Sequence, residues 1–579
     1  MKYPILTEQD SRRDMISAFK GYNHNLRIGD NEFYDMKNLT SSNYPVLSLR
    51  PKRGVYASPT SPSGLIAKDS LCYIDGRYFI MNEYRIDLGL TDDGVQRTLV
   101  SMGAYVIIMP DKKYVNTADI TDFGDIEAIV RTTDTVSFQL CKVDGTDYGD
   151  MTVQDEEPSE PANMALWIDT STTPHTLKQY SSASAMWVSI ATTYIKISAT
   201  GIGKPFAEGD GVTISGVASE DLQDLNSTML IMARGDNYIV VTGILDTVTS
   251  QEEVITVSRR MPYMDFMIES ENRLWGCRYG TDINGNVVNE LYACKLGDFK
   301  NWNCFAGIST DSYVVSLGTD GQFTGAITHL GYPLFFKETC LHKVYGNYPA
   351  NYQIQTTTCR GVQKGSSRSL AIVNEVLYYK SGTAICSYDG SLPVGISEAL
   401  GEVSYSGAVA GTIGNKYYIS MADPQGLYHL FVYDTMRGMW HLEDNTQAKE
   451  FCTCRGELYY IDAADTNIHT VLGSGTVNTA KIPWMAETGI LGTDSPDKKY
   501  ISRLVIRMYL EVTSEMDVYI QYNSMGEWEH LFTILGKDLQ SFPIPIRPRR
   551  CDHLRLRLVG KGEAKIFSIC KTTEQGSDV

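Results

Sequence analysis

Pro333-Leu334-Phe335-Phe336 is followed by Val376-Leu377-Tyr378-Tyr379, Lys416-Tyr417-Tyr418-Ile419 and Leu458-Tyr459-Tyr460-Ile461. Each is a β-prone run carrying paired aromatic residues beside a Gly or Asn turn, and Arg273-Leu274-Trp275-Gly276 is an earlier copy. Phe336, Tyr379, Tyr418 and Tyr460 lie 43, 39 and 42 residues apart. A period of ~40–50 residues built only from strands and turns is the mark of β-propeller blades. A four-stranded blade buries its faces only against its neighbours, so the copies must close into a ring. A still earlier copy, Arg77-Tyr78-Phe79-Ile80, lies far upstream and implies an insertion within the ring.

Outward from this stretch, the chain divides into an extended N-terminal arm (1–55), a first part of the propeller (56–134), an inserted β-rich domain (135–260) and the rest of the propeller (261–475). A C-terminal β-sandwich (482–571) and a disordered tail (572–579) follow. The fold class expected is all-β, with a propeller of about six blades. The insertion is read from the loss of aromatic doublets and from Thr-rich runs such as Thr192-Thr193-Tyr194-Ile195-Lys196-Ile197-Ser198. The sandwich is read from period-two alternation: Leu504, Ile506, Met508 and Leu510, then Leu554, Leu556 and Leu558 between Arg555 and Arg557.

Composition narrows the function. A net charge of −18 argues against a general nucleic-acid binder, which needs a basic surface to displace counterions. It suits a wall that DNA slides past without sticking. Arg547-Pro548-Arg549-Arg550 reads as a solvated loop. No apolar run reaches the ~18 residues of a membrane span, and the first residues lack the core of a signal peptide. The chain is therefore expected to be made in the cytoplasm. The twelve cysteines are scattered through apolar strand runs and read as reduced, buried residues.

The arm carries a distinctive pattern. Gly21 opens it, Glu32-Phe33-Tyr34-Asp35 leads to Asn38-Leu39, and Leu47, Arg50, Pro51 and Gly54 close it. This pattern resembles the N-terminal signature of tailed-bacteriophage virion proteins of the β-propeller type, the proteins of the head-to-tail connection, tail nozzle and packaged-DNA stabilisation. The resemblance covers about 35 residues closely and the rest in architecture. It implies a virion protein of the neck or tail, assembled in the host cytoplasm. Such subunits form a homo-oligomeric ring, six-fold, around the DNA exit path and bind other connector, tail or fibre proteins. DNA passes without specific binding, and Gly21, Glu32, Phe33, Asp35, Asn38, Leu39, Arg50, Pro51 and Gly54 form the assembly signature.

No catalytic, cofactor or metal site is expected from motifs. Gly201-Ile202-Gly203-Lys204 has Pro205 where a phosphate loop needs Ser or Thr. Asp282-Ile283-Asn284-Gly285-Asn286 begins like a calcium loop, but its sixth and twelfth positions are Val287 and Ala293. Arg234-Gly235-Asp236 reads as a turn between strands. Nine histidines show no metal spacing, and no nucleophile elbow occurs. The chain is accordingly read as not an enzyme. Two alternatives stay open on the same scaffold: a host-receptor protein stacking glycans on Trp440, Trp484 and Trp528, and a glycan-degrading tail enzyme, whose paired carboxylates would be assembled only in space.

Overall fold

The computed structural model describes residues 11–282, 284–493 and 498–575. Seven antiparallel blades form the body. Blade 1 runs from Pro62–Ala67 to Tyr84–Asp87, and blade 2 from Thr98–Met102 to Phe123–Asp125. Blades 3 to 6 begin with Phe266–Ser270, Phe323–His329, Ala371–Val373 and Ser406–Ile413. Blade 7 begins with Ala448–Cys454, and its fourth strand, Gly54–Ala57, comes from the arm. The innermost strands pack in succession, blade 4 meeting blade 5 through the 3-10 turn Ser367–Ser369, and that of blade 7 returns to that of blade 1, so the ring is closed. The count is seven instead of about six because residues 62–125 supply two full blades.

The aromatic doublets explain the ring. They lie on the second strand of blades 4 to 7, where successive side chains point to opposite faces. Phe335 therefore packs back onto Trp275 of blade 3, while Phe336 packs forward onto Tyr379 of blade 5. Tyr417 and Tyr418 likewise divide between blades 5 and 7. Which member points forward alternates from blade to blade, so the second aromatic is not one structural position. Arg77-Tyr78-Phe79-Ile80 lies in blade 1's third strand, Tyr78–Met81, not its second.

The insertion sits between blades 2 and 3. Its first strand, Ala128–Arg131, pairs antiparallel with its last, Thr256–Arg259, which brings the host chain ends together. The domain thus begins a few residues before the expected 135. Arg259 pairs with Asp210, and Asn301 of blade 3 donates to Asp210 at 2.8 Å, tying the insertion to the ring.

Residues 1–55 are not a free arm along the described part. Ser11–Ile16 pairs with residues 569–574, Phe33–Lys37 with 485–488, and Leu47–Leu49 with 565–566. They complete a nine-stranded sheet whose spine is the 24-residue strand Lys499–Tyr522. Its first half pairs with Ala564–Gln575 and its second half with Leu554–Lys561, with a break in register between Leu510 and Glu515. The sheet folds over at this break into two layers, as a sandwich. Gly536 marks the corner, since a Cβ there would lie 1.8 Å from the Glu511 carbonyl oxygen. The expected tail at 572–579 is corrected for its first residues, because 572–575 continue this sheet; 576–579 lie outside the described residues.

Candidate functional site

Two places gather polar groups that a propeller core does not require. The first is the junction where the arm meets blade 6, blade 7 and the sandwich. Gly21 has φ +85° and stands so close that a Cβ would lie 2.3 Å from the Trp440 carbonyl oxygen, which accepts from the Tyr22 amide at 2.6 Å. Glu32 caps the turn at Gly29 at 2.7 Å, and buried Phe33 stacks on Phe19. Asp35 lies half-buried near Glu487, and burial first, then that carboxylate, raises its pKa. Leu39 is buried in the core that arm, sandwich and blades 5 and 6 share.

Asn38 is the centre of this junction. It is buried in the left-handed region at φ 58°. Its amide donates to the Glu443 carbonyl of blade 6 at 2.6 Å, and its side-chain Nδ2 donates to the Pro483 carbonyl of the sandwich at 2.7 Å. Its Oδ1 accepts from Arg50 Nε at 2.7 Å. Arg50 continues to Asp444 at 3.2 Å and closes on the Pro51 carbonyl at 2.9 Å. Arg53 bonds Glu443 at 2.9 Å and Asp444 at 2.8 Å and lies over the Tyr460 ring. Burial alone would lower the Arg53 pKa, yet Asp444, Tyr460 and Glu443 hold it firmly charged. Gly54 then enters blade 7 in a space where a Cβ would lie 2.0 Å from the Ser474 carbonyl oxygen. The signature residues thus converge on one intramolecular junction. Arg53, Glu443 and Asp444 complete it; Arg53 lies inside the same Arg-Pro-x-x-Gly run, whereas the two acids carry no sequence mark.

The second place is the propeller axis, at the end where the innermost strands begin. Glu450, on the innermost strand of blade 7, accepts from Gln96 Nε2 at 2.7 Å and from the Leu65 amide at 3.1 Å, both on Oε2. Arg368 of blade 5 reaches across to the Arg97 carbonyl at 3.4 Å. Burial pushes the Glu450 carboxyl up to about 7, against the lowering effects of Arg368, Gln96 and Leu65. A half-buried carboxyl of this kind can hold or give a proton near neutral pH. The pairing that glycoside hydrolysis needs is a second free carboxyl. Asp111, joined to this cluster through Arg97, spends both oxygens on that arginine at 2.8 and 3.2 Å. Sequence reasoning did not find Glu450, because nothing near it distinguishes it from other acids.

The tryptophans chosen for glycan stacking are corrected. Trp440 is 2% exposed and donates to the Ile396 carbonyl, and Trp484 is 1% exposed and donates to the Gly562 carbonyl, so both are core residues. Trp528 is half-buried, and the Arg557 guanidinium lies 4.1 Å over its ring. Asp282 accepts from the amides of Asn284 and Asn286 at 2.8 Å, a closed turn. Among the described residues one group, Asp462, Asp465 and His469, has metal-ligand proximity. Its Asp465 carboxylate is already occupied by Asn467 and His469.

No protein-family model and no curated protein matches the chain. Among solved structures, an exo-β-1,3-galactanase from Phanerochaete chrysosporium aligns at 9% identity and a TM-score of 0.21, covering 53% of this chain and 94% of its own. A GH43 glycoside hydrolase engineered for endo-xylanase and exo-arabinofuranosidase activity gives 9% and 0.21, covering 53% and 96%. A mutant Trypanosoma rangeli sialidase gives 8% and 0.19, covering 97% and 95%. The expectation that the chain is not an enzyme is set aside, since the solved structures that align with it include glycan-degrading enzymes. TM-scores near 0.2 assign neither substrate nor reaction, and the seven-bladed fold stands on its own sheet topology.

Two outcomes follow from the two clusters. Arg53→Met leaves the buried Glu443 and Asp444 with Arg50 as their one remaining counter-charge and lowers stability by about 3 kcal/mol in denaturant unfolding. Arg77→Met, removing the exposed Arg77–Asp87 pair, changes it far less, because solvent screens that pair. Equal effects would contradict the junction's role. Glu450 gives a pH signature. Its folded pKa lies above the ordinary 4.5, so its stabilising contribution is full below 4.5 and is lost as pH rises through about 7. That loss is at most about 3 kcal/mol at ~1.4 kcal/mol per unit. Glu450→Gln should flatten the stability profile between pH 5 and 8, and an unchanged profile would refute the burial effect.

Proposed function

We propose that the chain is a structural subunit of a larger particle, of the tailed-bacteriophage neck or tail type that its N-terminal signature resembles. The observation that supports this is the junction. The residues that carry the resemblance are those that fix propeller and sandwich to each other through Asn38, Arg50 and the Glu443–Asp444 pair. A subunit that must hold several domains in fixed relation under load needs such a connection, whereas a freely jointed chain of binding modules does not. In this reading the subunits stand side by side in a ring, six-fold, around the DNA path, with connector, tail or fibre proteins above and below. Their acidic balance repels phosphate from the wall.

A second reading, engagement of host glycans, is favoured by Glu450 at the propeller axis, a carboxyl poised near neutrality beside Arg368. It includes both binding and cleavage. Turnover of host-surface polysaccharide by the purified chain, lost in Glu450→Gln while the fold persists, would establish the enzyme form. Binding on a glycan array without turnover would establish the receptor form.

Native mass spectrometry and imaging of particles carrying the labelled chain test the structural reading. A six- or twelve-subunit ring at the neck is the expected result. A monomer absent from particles would overturn it, and a trimer at the distal tip would replace it with the receptor form.

A further inference from the structure

Lysines end the second strands of blades 4 and 5, Tyr332–Lys337 and Val376–Lys380, each directly after an aromatic doublet. Both are buried, at 1% and 4% exposure. Their surroundings differ. Lys337 points back toward blade 3 and donates to Asn289 Oδ1 at 3.0 Å and to the Thr319 carbonyl at 2.8 Å. The rings of Tyr279 and Phe323 lie 5.0 and 4.7 Å from its Nζ, so its charge is well surrounded.

Lys380 points forward toward blade 6 and has far less. Its Nζ makes one hydrogen bond, 2.5 Å to the carbonyl of the adjacent Ser381. No carboxylate pairs with it among the described residues. Its backbone is held on both sides, since its amide donates to Ser369 Oγ at 3.0 Å and its carbonyl accepts from Gln363 at 2.9 Å. What faces it is a cavity of about 230 Å³ between blades 5 and 6. An ammonium has three donors, and burying it with one neutral acceptor is costly unless something else supplies charge. Burial accordingly pulls its pKa down to about 8, with Cys386 acting the other way.

The cavity wall says what would fit. Thr383, Ser404 and Tyr405 are among the residues that line it, with Ile385, Leu400 and Met421 on the apolar part of the wall. Its one carboxylate, Glu402, is exposed and forms no ion pair with Lys380 among the described residues. We infer that this cavity is a binding site for a small carboxylate-bearing molecule, its carboxylate set against Lys380 and its body against the apolar wall. One buried positive charge matches a monoanion better than a phosphate dianion, and the volume exceeds the ~30 Å³ of a single water several-fold. The inference stands apart from the particle and glycan readings, since it needs neither a ring nor Glu450.

The test is calorimetric titration of the full chain with acetate and with glucuronate, using glucose and inorganic phosphate as comparisons. One or both carboxylates should bind, with glucose silent and phosphate weaker. Lys380→Met should weaken binding about tenfold or more, while Lys337→Met should lower stability and leave binding intact. In the unmutated chain, the bound carboxylate should also protect Lys380 from acetic anhydride, read peptide by peptide by mass spectrometry. This arm decides the matter if Lys380→Met does not fold. Absence of binding by both carboxylates, unchanged affinity in a folded Lys380→Met, or labelling of Lys380 that the bound acid leaves unchanged would each overturn the assignment.

Discussion

Two arginines of the arm and two acids of blade 6 hold the molecule's parts together. Arg50 and Arg53 meet Glu443 and Asp444 in a setting from which water is largely excluded. Such a cluster gains little over an apolar contact of equal volume, because four charges must first be desolvated. What it adds is exclusivity. Only one placement of the arm satisfies all four charges and the Asn38 amide together, and that placement also feeds Gly54–Ala57 into blade 7. Ring closure and sandwich attachment thus depend on the same few residues. Misplacing the arm would open the ring and strip the sandwich of its edge strands at once.

The ring itself depends on a different economy. Every blade between 3 and 7 offers aromatic rings to both neighbours, so an interface is formed twice over, once from each side. The tyrosines that dominate these rows bring hydroxyls that must be bonded where they are buried. Tyr417 donates to the Ser369 carbonyl at 2.8 Å and Tyr379 to the Arg360 carbonyl at 2.5 Å. These bonds fix the relative height of adjacent blades, which apolar packing alone leaves free to slide.

The propeller, the insertion and the sandwich were legible because each rests on periodicity. Paired aromatics every ~40 residues, Thr-rich runs without them and strict alternation around Leu504–Leu510 report burial directly. Blade 2 was not legible as a separate blade, since Tyr105–Met109 carries Val106-Ile107-Ile108 where later blades carry paired rings. The arm's attachment could not be read either. Its strands are short, and their partners lie more than 400 residues away in Pro483–Thr488 and Ala564–Gln575. The tryptophans misled for a general reason: a large ring on a propeller or sandwich strand is far more often a core residue than a platform, as Trp440 and Trp484 are.

Repetition supplies a test of meaning that a single domain lacks. Where blades stack through rings, a charge inserted between them must be answered by its surroundings or it weakens the ring. Lys337 is answered, by Asn289, Thr319 and two aromatic faces. Arg273 is answered as well, by the carbonyls of Cys294, Asp311 and Ser309. Glu450 is answered only in part, by neutral donors on one oxygen and by the nearby charge of Arg368, and Lys380 by a single carbonyl. Both incompletely answered charges sit on the face where the innermost strands begin, and the second strands ending there leave it open at the 230 Å³ cavity. A chain under selection for ring stability alone could replace either residue with an apolar one and gain stability. Each therefore costs the ring stability that a contact with a molecule from outside the chain, as inferred for Lys380, would return.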